Sequence, residues 1–250
     1  MQTFFQTDKG KVRQHNEDCV GVFTNESQNV LAVVADGMGG HLAGDVASKM
    51  AIEFLESEWK KTSNFNTPRE AENWLSTFID ELNSKLFTHA ESHEECKGMG
   101  TTLVAIICTY HFFTIAHIGD SRCYFKDSDG FTQITDDHTL VAELVKSGQI
   151  SKEDAEIHPR KNVITRALGT EETVKLDVKT LTWEGEDTLL LCSDGLSNKI
   201  SFEKLEELIS SSNELKLIGN ELVSLANDLG GEDNISLAIV KYNQSINQKG

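Results

Sequence analysis

Four aspartates stand at the margins of apolar, strand-like runs. Asp36 closes Val-Leu-Ala-Val-Val-Ala-Asp, Asp120 closes Phe-Thr-Ile-Ala-His-Ile-Gly-Asp, Asp194 closes Thr-Leu-Leu-Leu-Cys-Ser-Asp, and Asp233 comes just before Ile-Ser-Leu-Ala-Ile-Val. Carboxylates are costly at such partly buried places unless they are paired or bind a metal. If the strand ends converge, they gather hard oxygen ligands with no nearby run of lysine or arginine to neutralise them, a donor set suited to Mg²⁺ or Mn²⁺. Any one of these aspartates alone is equally a turn residue or a helix cap. It is the set of four that points to a metal. In Asp36-Gly37-Met38-Gly39-Gly40-His41 the glycines let backbone approach a ligand closely, so the Gly37 carbonyl could itself coordinate an ion. The same loop also reads as a plain tight turn. It lacks the lysine and Ser/Thr of a nucleotide-phosphate loop.

These residues need elements to hold them. Apolar, β-branched runs at 30–35, 102–108, 112–118, 188–192 and 235–240 read as strands, with weaker candidates at 20–23, 123–125 and 174–181. Leu42, Val46, Met50 and Phe54 recur every four residues beside Ala43, Ala47, Ala51 and Leu55, the stripe of an amphipathic helix. A second helix opens at Thr67-Pro68-Arg69-Glu70, a capping box with proline at the first helical position, and carries Ala71, Trp74, Leu75, Phe78, Leu82 and Leu86 on one face. Further helical patterns run over 139–146, stopped by Gly148, over 151–157, and in two pieces between 201 and 229. Hairpin-like strands with helices inserted predict an α/β (α+β) fold. Its form is a four-layer α-β-β-α sandwich, with two mainly antiparallel sheets flanked by helices.

The chain has 250 residues, 38% of them apolar, enough for one substantial core without disulfide staples. No run is long enough for a signal-peptide core or a membrane span, which predicts a cytoplasmic protein with no membrane insertion. The five cysteines are odd in number and show no CxxC pair, so neither a disulfide framework nor a zinc site is expected. A net charge of -17 disfavours nucleic acid and anionic membranes as partners, because both require a basic surface.

Taken in order, a series of fragments resembles the motifs of the type 2C metal-dependent protein phosphatases, and most closely their short, stand-alone bacterial members. The fragments are Arg13 with Asn16-Glu17-Asp18, Ala35 to His41, Gly100-Thr101-Thr102, Ile118 to Arg122, Ile164 to Gly169, Cys192 to Leu196 and Gly231-Glu232-Asp233-Asn234. The resemblance spans roughly residues 1–240. It implies hydrolysis of phosphoserine and phosphothreonine on proteins, opposing a bacterial Ser/Thr kinase, with two Mn²⁺ or Mg²⁺ ions per chain and room for a third. It implies that Asp36 bridges two ions, that Asp194 and Asp233 complete one set of ligands and the Gly37 carbonyl the other, and that Asp120 with Asp194 holds the weaker third ion. Glu17 and Asp18 hold waters around the ions. Arg13, otherwise an ordinary surface arginine, becomes the phosphate anchor, and His41, otherwise a helix-start residue, the general acid. Arg122 and Asn234 help orient the site without a defined role. The polar stretch 136–169 resembles the flap beside the active site of bacterial members, within one catalytic domain, 1–242, followed by a polar tail, 243–250.

Other features invite different readings. Asp127-Ser128-Asp129-Gly130 opens like a calcium loop but lacks the later glutamate, so it reads as a turn. His138, His158 and the remaining histidines show no zinc spacing and are expected on the surface or in loops. Two alternatives to a general phosphatase are one dedicated to a single phosphoserine regulator of the anti-sigma antagonist type and a catalytically silent metal-binding partner module. The partners expected are phosphoproteins, including a cognate kinase, acted on by a monomer.

Overall fold

The computed structural model describes residues 1–40, 43–212 and 214–242; the expectations for His41, for Leu42 and for the tail 243–250 fall outside the described residues. Among the described residues, eleven strands form two sheets in which every pairing is antiparallel. One sheet runs β1 (Gln2–Asp8), β11 (Ile235–Lys241), β10 (Thr188–Cys192), β7 (Arg122–Lys126), β8 (Phe131–Gln133). The other runs β2 (Asp18–Thr24), β3 (Val30–Met38), β5 (Leu103–Cys108), β6 (Phe112–Ile118), β9 (Asp177–Thr182), with β4 (Gly100–Thr101) paired to the end of β3.

Alternation within the strands builds the layers. Val30, Ala32 and Val34 of β3 pack between the sheets with Val104, Ile106, Leu189, Leu191, Ala238 and Val240. Their neighbours Leu31, Val33 and Ala35 face the other way, onto α1 (Ala43–Trp59) and α2 (Pro68–Ser92). On the far side Leu190, Cys192, Leu237 and Ile239 pack against α6 (Phe202–Ser211) and α7 (Leu215–Asp228). Strands covered on both faces read as continuous apolar runs, and the sequence carries them for that reason. The expected α-β-β-α sandwich is the fold observed.

The differences are local. β1 was invisible in the sequence because Gln2-Thr3-Phe4-Phe5-Gln6-Thr7-Asp8 is mostly polar and mostly exposed, with its two phenylalanines side by side and no apolar alternation to see. At the start of α2 the Thr67 hydroxyl accepts from the Glu70 N–H at 3.3 Å, but the Glu70 carboxylate accepts from the Asn66 N–H, one residue earlier than a reciprocal capping box requires. The 136–169 stretch carries two short helices, α3 (Leu140–Lys146) and α4 (Lys152–Glu156). His138 lies in a loop, as expected, but is buried there, and His117 is neither on the surface nor in a loop but buried within β6. Asp127 turns the β7–β8 hairpin, its Oδ1 accepting from the N–H groups of Asp129 and Gly130.

Candidate metal and phosphate site

The register that fills the core also assembles the site. Two residues beyond Val34, the inward series of β3 reaches Asp36; two before Val20, the series of β2 reaches Asp18. The two aspartates lie directly opposite each other across the strand pair. On the facing sheet the inward series Leu189, Leu191 continues to Ser193, and Val240, Ala238 to Ser236. At this end of the sandwich the apolar filling therefore gives way to carboxylates and hydroxyls. Ser193 Oγ donates to Asp18 Oδ2 at 2.7 Å and accepts from the Ser236 N–H at 3.0 Å, tying one sheet to the other.

Asp36 is fixed through its backbone. Its N–H donates to Thr102 Oγ1 at 3.0 Å, and its carbonyl accepts from the Thr102 N–H at 2.8 Å and from Thr101 Oγ1 at 3.0 Å. Thr102 Oγ1 in turn meets Ser121 Oγ at 2.8 Å. Gly37 N–H donates to the Glu17 carbonyl, and a Cβ on Gly37 would run into the Gly44 carbonyl, so only glycine lets the start of α1 press onto β3 here. Asp194 opens the short helix α5 (Asp194–Ser197), its Oδ2 accepting from Asn198 Nδ2 at 3.0 Å.

Arg13 reaches the site from the loop between β1 and β2, where its Nη2 donates to Asp233 Oδ2 at 2.8 Å; both side chains are partly exposed. Asn234 holds that loop. Its Nδ2 donates to the carbonyls of Lys9 and His15, and its Oδ1 accepts from the Glu17 N–H at 2.7 Å.

The carboxyls resist ionisation together. Burial, opposed by the Ser193 and Ser236 hydrogen bonds, pushes Asp18 up to about 7. Burial and the charge of Asp194 push Asp120 up to about 7 as well. Burial followed by the charge of Asp18 drives Asp36 well above the usual carboxylate range. Asp194 is raised by burial and by Asp233, and Glu17 chiefly by burial. Two of the oxygens, Asp18 Oδ1 and Asp120 Oδ1, are buried without a hydrogen-bond partner among the described residues. A buried acceptor left unpaired costs about 1–3 kcal/mol. Unpartnered oxygens in an all-carboxylate set that repels itself fit a hard divalent cation.

Arg13, Glu17, Asp18, Asp36, Gly37, Asp120, Asp194 and Asp233 thus share one end of the sandwich, where the charges of Asp18, Asp194 and Asp233 act on their neighbours' carboxyls. His41 lies outside the described residues. Arg122 is committed elsewhere: its Nε and Nη2 grip Asp137 in a two-pronged pair at 3.0 and 2.7 Å. Sequence reasoning gave no role to Ser193 or Thr102 and none that was definite to Asn234. For Ser193 the signal was available, since a hydroxyl stands where the inward alternation of β10 runs out.

A model of the protein phosphatase 2C family matches residues 6–222. The serine/threonine phosphatase stp of Listeria innocua is 47% identical over 250 residues, covering 100% of this chain and 98% of the relative. The crystal structure of serine/threonine phosphatase Stp1 from Staphylococcus aureus is 38% identical with a TM-score of 0.91, covering 97% of this chain and 95% of that one. The catalytic domain of the serine/threonine phosphatase PstP, solved in complex with two manganese ions, is 33% identical with a TM-score of 0.84, covering 95% of this chain and 96% of that one.

Proposed function

The chain belongs to the protein phosphatase 2C family, and on that premise we propose a division of labour among its site residues. The protein is a metal-dependent serine/threonine protein phosphatase. Asp36, Asp194 and Asp233, with the Gly37 carbonyl, hold two Mn²⁺ or Mg²⁺ ions, and Asp120 with Asp194 holds a third more weakly. The observation that carries this assignment is the group of buried carboxyls that repel one another and leave Asp18 Oδ1 and Asp120 Oδ1 unpartnered. Ions held by these residues would supply a water of lowered pKa as nucleophile at neutral pH and would offset charge on the phosphoryl oxygens.

The chain's own residues do the rest. Arg13 has five N–H donors and spends one on Asp233, which aims the guanidinium at the site while leaving others to fork onto the phosphoryl group. Glu17 and Asp18 accept from waters around the ions and so fix their orientation. His41 gives its proton to the departing serine or threonine oxygen. Residues 1–242 act as one catalytic unit in which the 136–169 flap governs access by phosphoproteins. Exchanging it for a relative's flap changes phosphoprotein preference and leaves aryl phosphate turnover alone; equal effects on both would refute that role. The enzyme works in the cytosol as a monomer, opposing a Ser/Thr kinase and acting on that kinase and its substrates.

Chelator-treated protein incubated with a phosphothreonine peptide, with and without Mn²⁺, tests the whole assignment. Phosphate release appears only with the ion and not from a phosphotyrosine control. Release that persists in chelator would sink the metal assignment.

A further inference from the structure

A second group of titratable side chains, two buried histidines and a partly exposed aspartate, lies at the foot of the 136–169 segment. The rings of His117, near the end of β6, and His138 stack with centroids 4.6 Å apart. Asp177, the first residue of β9, stands opposite His117 in register. Among the described residues these three bring one donor atom each to within 4.8 Å of one another, the spacing of a metal site.

The hydrogen bonds speak against a metal there. Gly119 N–H donates to His138 Nδ1 at 3.1 Å, so that nitrogen carries no proton and the neutral ring must hold its proton on Nε2. Nε2 lies 3.2 Å from Asp177 Oδ2 and donates to it. Arg166 Nη1 lies 3.2 Å from the same Nε2 and 3.4 Å from Asp177 Oδ1, a fixed positive charge where a cation would have to sit. His117 Nε2 is spent on the Asp136 carbonyl at 2.8 Å. With its Nε2 protonated and a guanidinium alongside, His138 is arranged to accept at Nδ1, and the partner it accepts from adjoins the active site.

We propose that His138 is a positioning residue for Asp120, gripping both polar backbone atoms of Gly119 and so setting the Asp120 carboxylate against Asp194. The His138 N–H donates to the Gly119 carbonyl at 2.9 Å while its ring takes the Gly119 N–H. Gly119 has a φ of +104°, and a Cβ there would come within 2.6 Å of the Thr102 side chain. The residue before Asp120 is thus clamped between His138 and the threonine that also holds the Asp36 backbone. Asp177 keeps the His138 proton on Nε2. Burial, reinforced by the neighbouring His117, lowers the tendency of the ring to take a second proton, which would turn the Nδ1 acceptor into a donor facing a donor. This buried loop histidine is the point where the flap is fastened to the catalytic sheet.

The proposal rests on the reading of Asp120 as a ligand of the weaker ion. Mn²⁺ binding, followed by the electron paramagnetic resonance of free Mn²⁺, tests it in the wild type, H138A, H138N, D177A and D120N. H138A weakens the weakest class of bound Mn²⁺ by about tenfold and leaves the tighter ions unchanged. In H138N the amide Oδ1 stands where Nδ1 stood, so it accepts from Gly119 N–H again and recovers most of that binding. D177A releases the ring to take the other tautomer and weakens the same class. Wild-type binding in H138A, or H138N no better than H138A, overturns the role of His138. Retention of the weak class in D120N overturns the reading of Asp120 instead. Should H138A fail to fold, D177A decides: weakened binding supports the proposal and unchanged binding overturns it.

Discussion

Two sets of acidic residues lie close together in this molecule and are treated in opposite ways. At the foot of the flap, Asp137 is gripped by both arms of Arg122, and Asp177 takes a proton donor from His138 and stands beside Arg166. Burial alone would push the Asp177 carboxyl up, yet the His138 hydrogen bond and the surrounding positive charge bring it below the usual range. At the end of the sandwich, Asp18, Asp36, Asp120 and Asp194 are all pushed up; Arg13 is half-exposed and engaged with Asp233, and Arg122 is committed to Asp137. The same residue type is charge-balanced by the polypeptide in one place and left unbalanced in the other. The foot of the 136–169 segment is charge-balanced as folded, whereas the other group of carboxyls carries no such balance within the polypeptide and fits divalent ions from solution.

Substitutions that treat the two regions alike should therefore give unlike results. Asp36→Asn lowers turnover of a phosphothreonine peptide at saturating Mn²⁺ by about a thousandfold, equivalent to about 4 kcal/mol of transition-state stabilisation. Asp177→Asn leaves far more activity, and an equal loss in both would erase the distinction. Arg13→Ala comes next, with kcat/KM for the same peptide falling about a hundredfold. Weakened Mn²⁺ binding as the sole defect would instead assign Arg13 to Asp233 and not to phosphate.

The third contrast lies in stability against pH. Asp18 and Asp120 hold their protons to about 7 in the metal-free fold but release them near 3.8 when unfolded. The native state therefore binds more protons over that interval, and the metal-free protein loses stability as pH rises, by about 2 kcal/mol for each of the two carboxyls and about 4 kcal/mol for both between pH 5 and pH 7. Urea denaturation in chelator reads this slope, and saturating Mn²⁺ flattens it. A metal-free protein that gained stability over the same range would contradict the picture of unbalanced carboxyls. The smallest effect is that of Ser193→Ala, which removes the hydroxyl donor to Asp18 and weakens Mn²⁺ binding about tenfold by calorimetry, with the fold intact.

Much of this was legible in the residues. The inward series Val30, Ala32, Val34, Asp36 can be written down from sequence alone once the run is taken as a strand, and it puts a carboxylate where the core ends. Thr67-Pro68 marked the start of α2 because capping chemistry is local. What could not be read is what depends on distant segments meeting. Asn234 reaches back 219 positions to His15 and 225 to Lys9, and nothing in Gly-Glu-Asp-Asn announces that its amide holds the arginine loop. His138 was readable as a surface or loop residue, and it does lie in a loop, but its polar neighbours Asp136 and Asp137 gave no sign of its burial. Its burial comes from β6 and β9, which lie on either side of it in the chain. β1 escaped notice because its residues are mostly polar and its two phenylalanines are adjacent, so no apolar alternation marks it.

The shared register of core and site has a bearing on how this chain can change over generations. Adding or deleting one residue in β3 ahead of Asp36 would turn Val34 outward and swing the carboxylate onto the α1 side in the same stroke. Length variation in this strand cannot abolish catalysis while sparing the fold, or the reverse. Tolerated insertions should therefore collect at the opposite rim, as in the Glu184–Asp187 turn ahead of β10, where no such phase is kept.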